Sequence, residues 1–392
     1  MLDRLVKFFT SLKLTVVLLG LGLVLVFWGT LAQVNLGLYK AQNEFFRSFF
    51  VYWQPSGSNL RIPIFPAGYT IGGLLLINLF AAHTRYYQRG WKKAGIIMIH
   101  FGVVLLLVGQ FLTDFLSTES SMHIRVGASA NYSESQRDYE LAIIDTTEAD
   151  SEKVVAIPVH RLVKQSEITH AELPFTVRVK AIHPNSSVAR ENAEGYQQVK
   201  ASAGVGSDLW WREMPHETLM ERRDMPSGLI ELVTSQGSLG TYFVSAFLSR
   251  QVGPNTFDWV PQELSHQGRR YQFGLRPQRH YKSFSLHLVE FKFDRYPGSE
   301  IPKNFSSRVR LERPDTGENR EVLIYMNSPL RYGGETFYQA DWDHEDEKGT
   351  ILQVVRNPGW LTPYFACVIV AAGLVTQFMI HLVGFAKKRR TA

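Results

Sequence analysis

The sequence predicts a membrane α-helical bundle of four transmembrane helices, with a large all-β, sandwich-like domain inserted between the third and the fourth. Three observations carry this expectation. Four stretches are almost purely apolar, although the mean hydropathy of the whole chain is only -0.10. Basic residues gather at the ends of those stretches, and the long middle segment alternates apolar and polar residues.

The apolar stretches are residues 14–32, 64–82, 94–116 and 361–385. A hydrocarbon core roughly 30 Å thick takes about 20 helical residues at 1.5 Å each. Backbone groups in lipid must satisfy one another, so each stretch is predicted to be a helix. Thr30-Leu31-Ala32 resembles a weak cleavage site, but the first span is long for a signal segment and is expected to be retained. Residues 33–63 then form an external loop. Within it Phe45, Phe46, Phe49, Phe50 and Trp53 recur at helical spacing across residues 44–53, which predicts a short amphipathic helix lying in the interface or packed on the bundle. Pro63 and Pro66 mark the start of the second helix, where proline is tolerated.

The chain has 42 Lys and Arg against 36 Asp and Glu, a formal net charge of +6. That excess is a topology signal, not a nucleic-acid footprint. Arg4, Lys7, Lys13, Arg85, Arg89, Lys92, Lys93, Lys387, Lys388, Arg389 and Arg390 all abut helix ends, and Asp3 is the only acid among them. The positive-inside rule puts both termini and the 83–93 loop in the cytoplasm, which four crossings allow. Trp53, Trp91 and Trp360 fall near the expected interfaces.

From residue 117 to 358 the period changes to two. Residues 139–144, 153–159, 175–182, 229–234, 242–248, 271–275, 283–293, 307–311, 321–326 and 350–355 read as strands bounded by Gly, Pro, Asn and Ser. Residues 184–226 are less regular. Many short strands with turn signals predict a sandwich or stacked sheets. The domain organisation is therefore a membrane region over 1–116, an extracytoplasmic β-domain over 117–358, and a last helix with a basic tail over 359–392.

Cys367 is the sole cysteine and falls inside the fourth span. Thiol exchange and Cys-x-x-Cys-His haem attachment on this chain are thereby excluded. Gly-x-Ser-x-Gly, phosphate-loop and His-Glu-x-x-His motifs do not occur, so no catalytic group is assigned. Asp343-His344-Glu345-Asp346 reads as a solvated acidic turn before a hard-metal site, and Trp210-Trp211 as a buried pair before an aromatic surface.

Three of the 12 histidines, His83, His100 and His381, lie in or beside the spans. An ionisable residue in a bilayer is a functional candidate by default. His83, two residues from Arg85, is expected at the solvated cytoplasmic edge. His100 lies seven residues past Lys93, roughly 10 Å deep, among Ile96, Ile97, Ile99, Phe101, Val103 and Val104. Nothing there supports a charge, so a neutral imidazole is expected, and a neutral imidazole is either a metal ligand or a hydrogen-bond partner to another helix. Gly95, Gly102 and Gly109 on the same helix form a seven-residue stripe that lets a neighbour approach closely. His381, six residues before Lys387, counts to nearly the depth of His100 and is a further candidate.

Several motifs in order resemble the ResB (also called CcsB) family of cytochrome c biogenesis proteins, over essentially the whole chain. They are Ser11-Leu12-Lys13-Leu14 and Gly29-Thr30 around the first helix, and His100-Phe101-Gly102 with Gly109 in the third. Asn327-Ser328-Pro329-Leu330, Gly333-Gly334, Phe337-Tyr338-Gln339 and Asn357-Pro358-Gly359 follow before the last. Ala32 stands where members often have proline, so that boundary matches more loosely.

The resemblance implies a multi-pass protein of the bacterial cytoplasmic (inner) membrane with its large domain periplasmic. It implies the ResB-type subunit of the System II cytochrome c synthetase, handling haem across the membrane and supporting its covalent attachment to exported apocytochrome c. His100 matches the family's transmembrane axial ligand for haem b, held transiently and non-covalently, with His381 and His83 as lesser candidates. The implied partners are a CcsA/ResC-type membrane protein, which supplies the opposite ligand, apocytochrome c, thiol-reducing thioredoxin-like proteins and the lipid bilayer, with no nucleic acid. The chain is expected to be an accessory subunit, not the fused form. The alternative is a cofactor-free membrane-anchored assembly scaffold.

Overall fold

A computed structural model describes residues 2–55, 60–85, 91–219, 222–253, 256–298, 302–343 and 348–391. The chain divides into two compact units. One comprises residues 1–117, 218–222 and 357–392; the other comprises 118–217 and 223–356.

The first unit is helical. Helix α1 (Leu2–Phe9) stops where Ser11 caps the next helix, its hydroxyl accepting from the Lys13 amide at 3.2 Å. That satisfies an amide which the helix start would otherwise leave without a partner. Helix α2 (Leu12–Leu36) runs 25 residues and ends at Gly37, whose φ of 76° few other residues adopt easily. Helix α3 (Leu38–Ala41) continues into a wide π-helical turn, Gln42–Phe46.

The amphipathic helix expected over 44–53 splits at that point. Residues Phe50–Trp53 form a strand paired antiparallel with Ile62–Pro66. Aromatic residues fit a pleated surface, and the pairing satisfies backbone groups that a lone interfacial turn leaves exposed. Phe45 turns inward to an edge-on contact with Trp28 at 5.3 Å, and Phe65 meets Trp28 at 5.9 Å. Leu25, Phe45, Val51, Ala67 and Ile71 form the buried centre.

The predicted second span, 64–82, begins in this hairpin. Its helix, α4 (Gly68–Arg85), is 18 residues long and carries Asn78, His83, Thr84 and Arg85. Among the described residues three helices are long and apolar enough to cross a membrane: α2, α5 (Ala94–Leu116) and α7 (Thr362–Thr391), the last over Thr362–Arg389. The fourth crossing that the sequence predicts is not among them.

Helices α5 and α7 pack along the glycine stripe. A Cβ on Gly95 would stand 2.6 Å from Gln377 Cβ, one on Gly102 2.5 Å from Val370 Cγ2, and one on Gly109 2.5 Å from Thr362 Cγ2. Real Cβ atoms do not approach so closely, so only glycine allows this seam. Asn357 fixes its far end. The Asn357 side chain accepts from the Gly359 amide at 2.8 Å and donates to the Thr113 hydroxyl at 3.3 Å.

The second unit is β-rich. Its largest sheet orders the strands Glu318–Tyr325, Pro302–Arg313, Arg269–Arg295, Ser129–Asp145, Thr118–Arg125, Gly349–Arg356, Glu335–Trp342 and Leu330–Tyr332. A second sheet of four strands orders Gly237–Ser245, Ser227–Thr234, Thr176–His183 and Glu167–Ile168. The two long strands Ser129–Asp145 and Arg269–Arg295 traverse two cores. Leu141, Ile143, Tyr271, Phe273 and Leu275 face Val177, Ile230, Leu232 and Val244 of the second sheet, which is the sandwich the alternation predicts. Beyond, Leu286 and Leu288 meet Met122, Val309, Ile324, Phe337 and Leu352, all from the one large sheet folded over itself.

A polar layer separates the cores. Arg276 and Glu140 pair across the strands, with Nε 3.0 Å from Oε1, and both are buried. The less regular 184–226 segment holds short strands, Ser186–Ala189, Gln197–Gln198 and Trp210–Glu213.

Candidate functional site

The structure brings two of the three membrane-associated histidines together. His83 on α4 and His100 on α5 meet edge to face, with ring centroids 4.7 Å apart, and both are half-buried. The sequence count had separated them by depth, placing His83 at the solvated edge. Ring contact puts both imidazoles at one level of the bundle.

Local geometry distinguishes the two rings. His83 Nδ1 lies 3.1 Å from the Leu79 carbonyl, one turn back on α4. A carbonyl only accepts, so Nδ1 carries a proton and, in the neutral ring, Nε2 keeps its lone pair. His100 Nδ1 is buried with no hydrogen-bond partner of normal geometry. The Ile96 carbonyl, one turn back on α5, reaches this ring only in weaker geometry than Leu79 gives His83.

His381 is elsewhere. The seam pairs Gly95 with Gln377 and Gly102 with Val370, so His381 falls about nine residues, roughly 13 Å, from the level of His100. Its ring is exposed and its Nε2 bonds the Gln377 amide at 2.8 Å. Counting inward from Lys387 misjudged its depth because α7, at 30 residues, is longer than a bilayer is thick. Cys367, also on α7, is exposed on the helix surface.

His100 is turned away from the glycine seam, since five and two residues from Gly95 and Gly102 place it near the opposite side of α5. Around the histidines the surface is apolar and uncovered: Phe80 is 73% exposed, and Phe101, Val103 and Leu107 are exposed too. A flat apolar ligand with a metal centre fits this donor set: uncharged imidazole nitrogen amid hydrocarbon. Two imidazoles bound trans on one metal, each at about 2 Å, hold their ring centroids roughly 6 Å apart. Rings 4.7 Å apart therefore leave no room for a porphyrin between them. The two rings as they stand do not flank one.

Sequence reasoning passed over Asn78. It is buried in α4, accepts from the Thr15 hydroxyl at 2.6 Å and donates to the Phe9 carbonyl at 2.7 Å. A lone amide in an otherwise apolar helix was the available signal.

In the β-rich unit the expected clusters are structural. Asp343 is fully buried and bonded by Arg125 at 3.0 Å, not solvated, while 344–346 lie outside the described residues. Among the described residues no group of three His, Cys, Asp or Glu is placed to hold a metal ion. Trp211 is buried against Phe243 at 5.4 Å and His183 at 4.5 Å, whereas Trp210 is half-buried. A cleft of about 340 Å³ is lined by His160, His216 and Asp224 among others, with His216 Nδ1 2.7 Å from Asp224 Oδ2. The motif residues here mostly shape the backbone. Asn327, Gly333 and Gly334 hold positive φ at turns, Phe337 is core, and Gln339 bonds Ser307 and Thr350.

Comparison with known proteins gives these positions a context. Residues 242–351 match the ResB-like family. Protein NrfI of Wolinella succinogenes is 26% identical over 308 residues, covering 78% of this chain and 29% of NrfI. Cytochrome c biogenesis protein CcsB of Prochlorococcus marinus is 33% identical over 84 residues, 19% of each chain. CcsB of Synechococcus sp. strain CC9311 is 43% identical over 58 residues, 15% of this chain and 13% of that protein. The chain thus spans under a third of the length of NrfI, and the matches to the CcsB proteins are shorter segments.

Proposed function

This chain belongs to the ResB-like family, and from that premise we propose that it is the ResB-type subunit of a System II cytochrome c synthetase, holding haem through His100 while a CcsA/ResC-type partner completes the site. Relatives that carry the name cytochrome c biogenesis protein support the general role. The single observation that carries the haem assignment is the His100 imidazole: set in a membrane helix, turned from the α7 seam, its buried Nδ1 without a hydrogen bond of normal geometry.

In this reading α4 is the fourth crossing. Its 18 residues span roughly 27 Å. The polar cost of Asn78 is removed by its bonds to Thr15 and Phe9, and His83 is satisfied by Leu79. Without that crossing, Lys92 and Lys93 would begin α5 on the side where α2 ends, against the positive-inside rule. Both termini then lie in the cytoplasm of a bacterial inner membrane, with the β-domain in the periplasm.

Haem, when bound, would supply an iron that takes nitrogen ligands and vinyl groups that accept cysteine thiols. This chain's own residues bind and orient. His100 gives one nitrogen lone pair. Phe80, Phe101, Val103 and Leu107 give an apolar surface from which water is excluded. His83, with its ring 4.7 Å from that of His100, would not flank the group opposite it, so a further ligand would come from the partner. Cys367, being alone on a membrane helix, contributes no thiol to the attachment. Reduced thiols come from the apocytochrome, kept so by thioredoxin-like proteins.

The test is co-purification with the CcsA-type partner and a reduced-minus-oxidised spectrum. The complex carries a haem band, and His100→Ala removes most of it, with recovery on adding imidazole. A colourless complex overturns the reading and favours the cofactor-free scaffold. Full haem in His100→Ala with loss in His381→Ala moves the assignment to His381.

A further inference from the structure

Resting on the haem reading above, we propose that His83 is a second imidazole ligand of the same site, exchanging with His100 on one face of the iron. Three observations point there. The rings touch, at 4.7 Å between centroids, so an atom within bonding reach of one nitrogen lies a side-chain rotation from the other. The Leu79 carbonyl takes the Nδ1 proton of His83 at 3.1 Å. His100 is less well supported: the Ile96 carbonyl one turn back meets its ring outside normal hydrogen-bond geometry, and its Nδ1 is buried.

The second observation decides the chemistry. A metal-binding imidazole ordinarily gives its far N–H to a carbonyl or carboxylate, which fixes the tautomer and the ring plane and makes the ligating nitrogen more basic. His83 has this arrangement in normal geometry, whereas at His100 the Ile96 carbonyl lies outside it. His100 occupies the longer, more apolar helix; His83 holds the better prepared lone pair. Because rings this close cannot flank a porphyrin, the two share one side of it. Exchange is then balanced: one iron–nitrogen bond forms as the other breaks, one imidazole lone pair replaces another, and no proton or electron leaves. Such a pair lets a ligand be passed between helices without releasing it to lipid.

The experiment uses the full chain purified with its partner and reads haem per protein and the low-spin ferric resonance spectrum. His100→Ala is expected to keep about a tenth of the wild-type haem, with a spectrum still showing an imidazole ligand; a tenfold drop corresponds to about 1.4 kcal/mol. Adding His83→Ala abolishes that remainder. His83→Met in the His100→Ala background replaces the nitrogen signature by that of a sulfur ligand, a positive change that misfolding would not produce. If His100→Ala and the double variant hold the same haem, reduced well below wild type, with the same spectrum, and the methionine variant shows no sulfur signature, His83 is not a ligand and the haem reading stands. If the double variant keeps wild-type haem, the haem reading itself fails.

Discussion

Gly102 of α5 and Val370 of α7 lie so close that a Cβ built on the glycine would stand 2.5 Å from Val370 Cγ2 and 2.9 Å from the Ala366 carbonyl oxygen. The approach is reciprocal: a Cβ on Gly373 of α7 would stand 2.8 Å from the Gly95 carbonyl oxygen. Glycines seven residues apart keep this seam in register because 3.5 residues per turn returns the same face to the partner helix.

Gly102→Leu is therefore expected to wedge α5 from α7 and destabilise the helical unit by about 1–3 kcal/mol, the usual cost of overpacking. Thermal unfolding in detergent measures the loss. Gly20→Leu serves as the control, because nothing lies within 4 Å of its Cβ position. Equal effects of the two changes would mean that the seam is not closely packed.

Asn78 gives a second prediction. Replacing it by Leu removes the acceptor for Thr15 and the donor for the Phe9 carbonyl, leaving the break between α1 and α2 without its polar tie. The expected loss is about 1–2 kcal/mol, the range for interhelical side-chain bonds in membranes. A cross-link between cysteines placed on α1 and α4 reports it directly. Thr15→Val, which leaves the Phe9 bond intact, is expected to cost less. An Asn78→Leu protein that cross-links as efficiently as wild type would show that the amide does not anchor α1.

The apolar runs of α2, α5 and α7 were legible because lipid imposes length and composition together. The α4 start was not: Ile64 and Phe65 are as apolar as helix residues, yet they pair with Val51 and Phe50's strand. Composition does not separate an aromatic hairpin from a helix end. In the β-rich unit, alternation found several of the strands with one buried face, such as Thr176–His183 and Ser227–Thr234. It missed Gln262–His266, Leu330–Tyr332 and Glu335–Trp342, and also Thr118–Arg125 with the first half of Ser129–Asp145, where the inward residues include Ser120, Ser133 and Ser135. Buried serines that bond one another carry no hydrophobic signal. His100 was legible as an ionisable residue in a span. Its contact with His83 was not, since pairing two helices is a matter of azimuth that no count along one chain supplies.

The buried pair Arg276–Glu140 separates the two cores of the β-rich unit. Glu140→Leu leaves a guanidinium that is 1% exposed without its carboxylate, and breaking a buried pair in this way costs about 3–5 kcal/mol. The double change Arg276→Met with Glu140→Leu removes both charges and is expected to recover most of that loss. Denaturant midpoints of the two variants provide the measurement. A double variant no more stable than Glu140→Leu alone would mean that the layer acts through shape and not through charge pairing.

Acid sensitivity follows from Glu231 in the same unit. Hydrogen bonds from Lys180 and Ser238, with the Arg178 guanidinium, lower its carboxyl from 4.5 to about 2, and Lys180 Nζ stands 2.8 Å away. A bond from the Thr147 hydroxyl lowers Asp145 as well. A carboxyl depressed in the folded state binds fewer protons there than in the unfolded chain, so added protons favour unfolding. The stabilisation from Glu231 is present above its unfolded value of 4.5 and is lost as the pH falls from there toward 2. Unfolding midpoints of the purified chain measured across that window are expected to drop, and Glu231→Gln to drop less steeply while starting lower at neutral pH. Parallel curves for the two proteins would show that the Lys180–Glu231 contact does not persist in solution, and that the acid response of the domain belongs to other carboxylates.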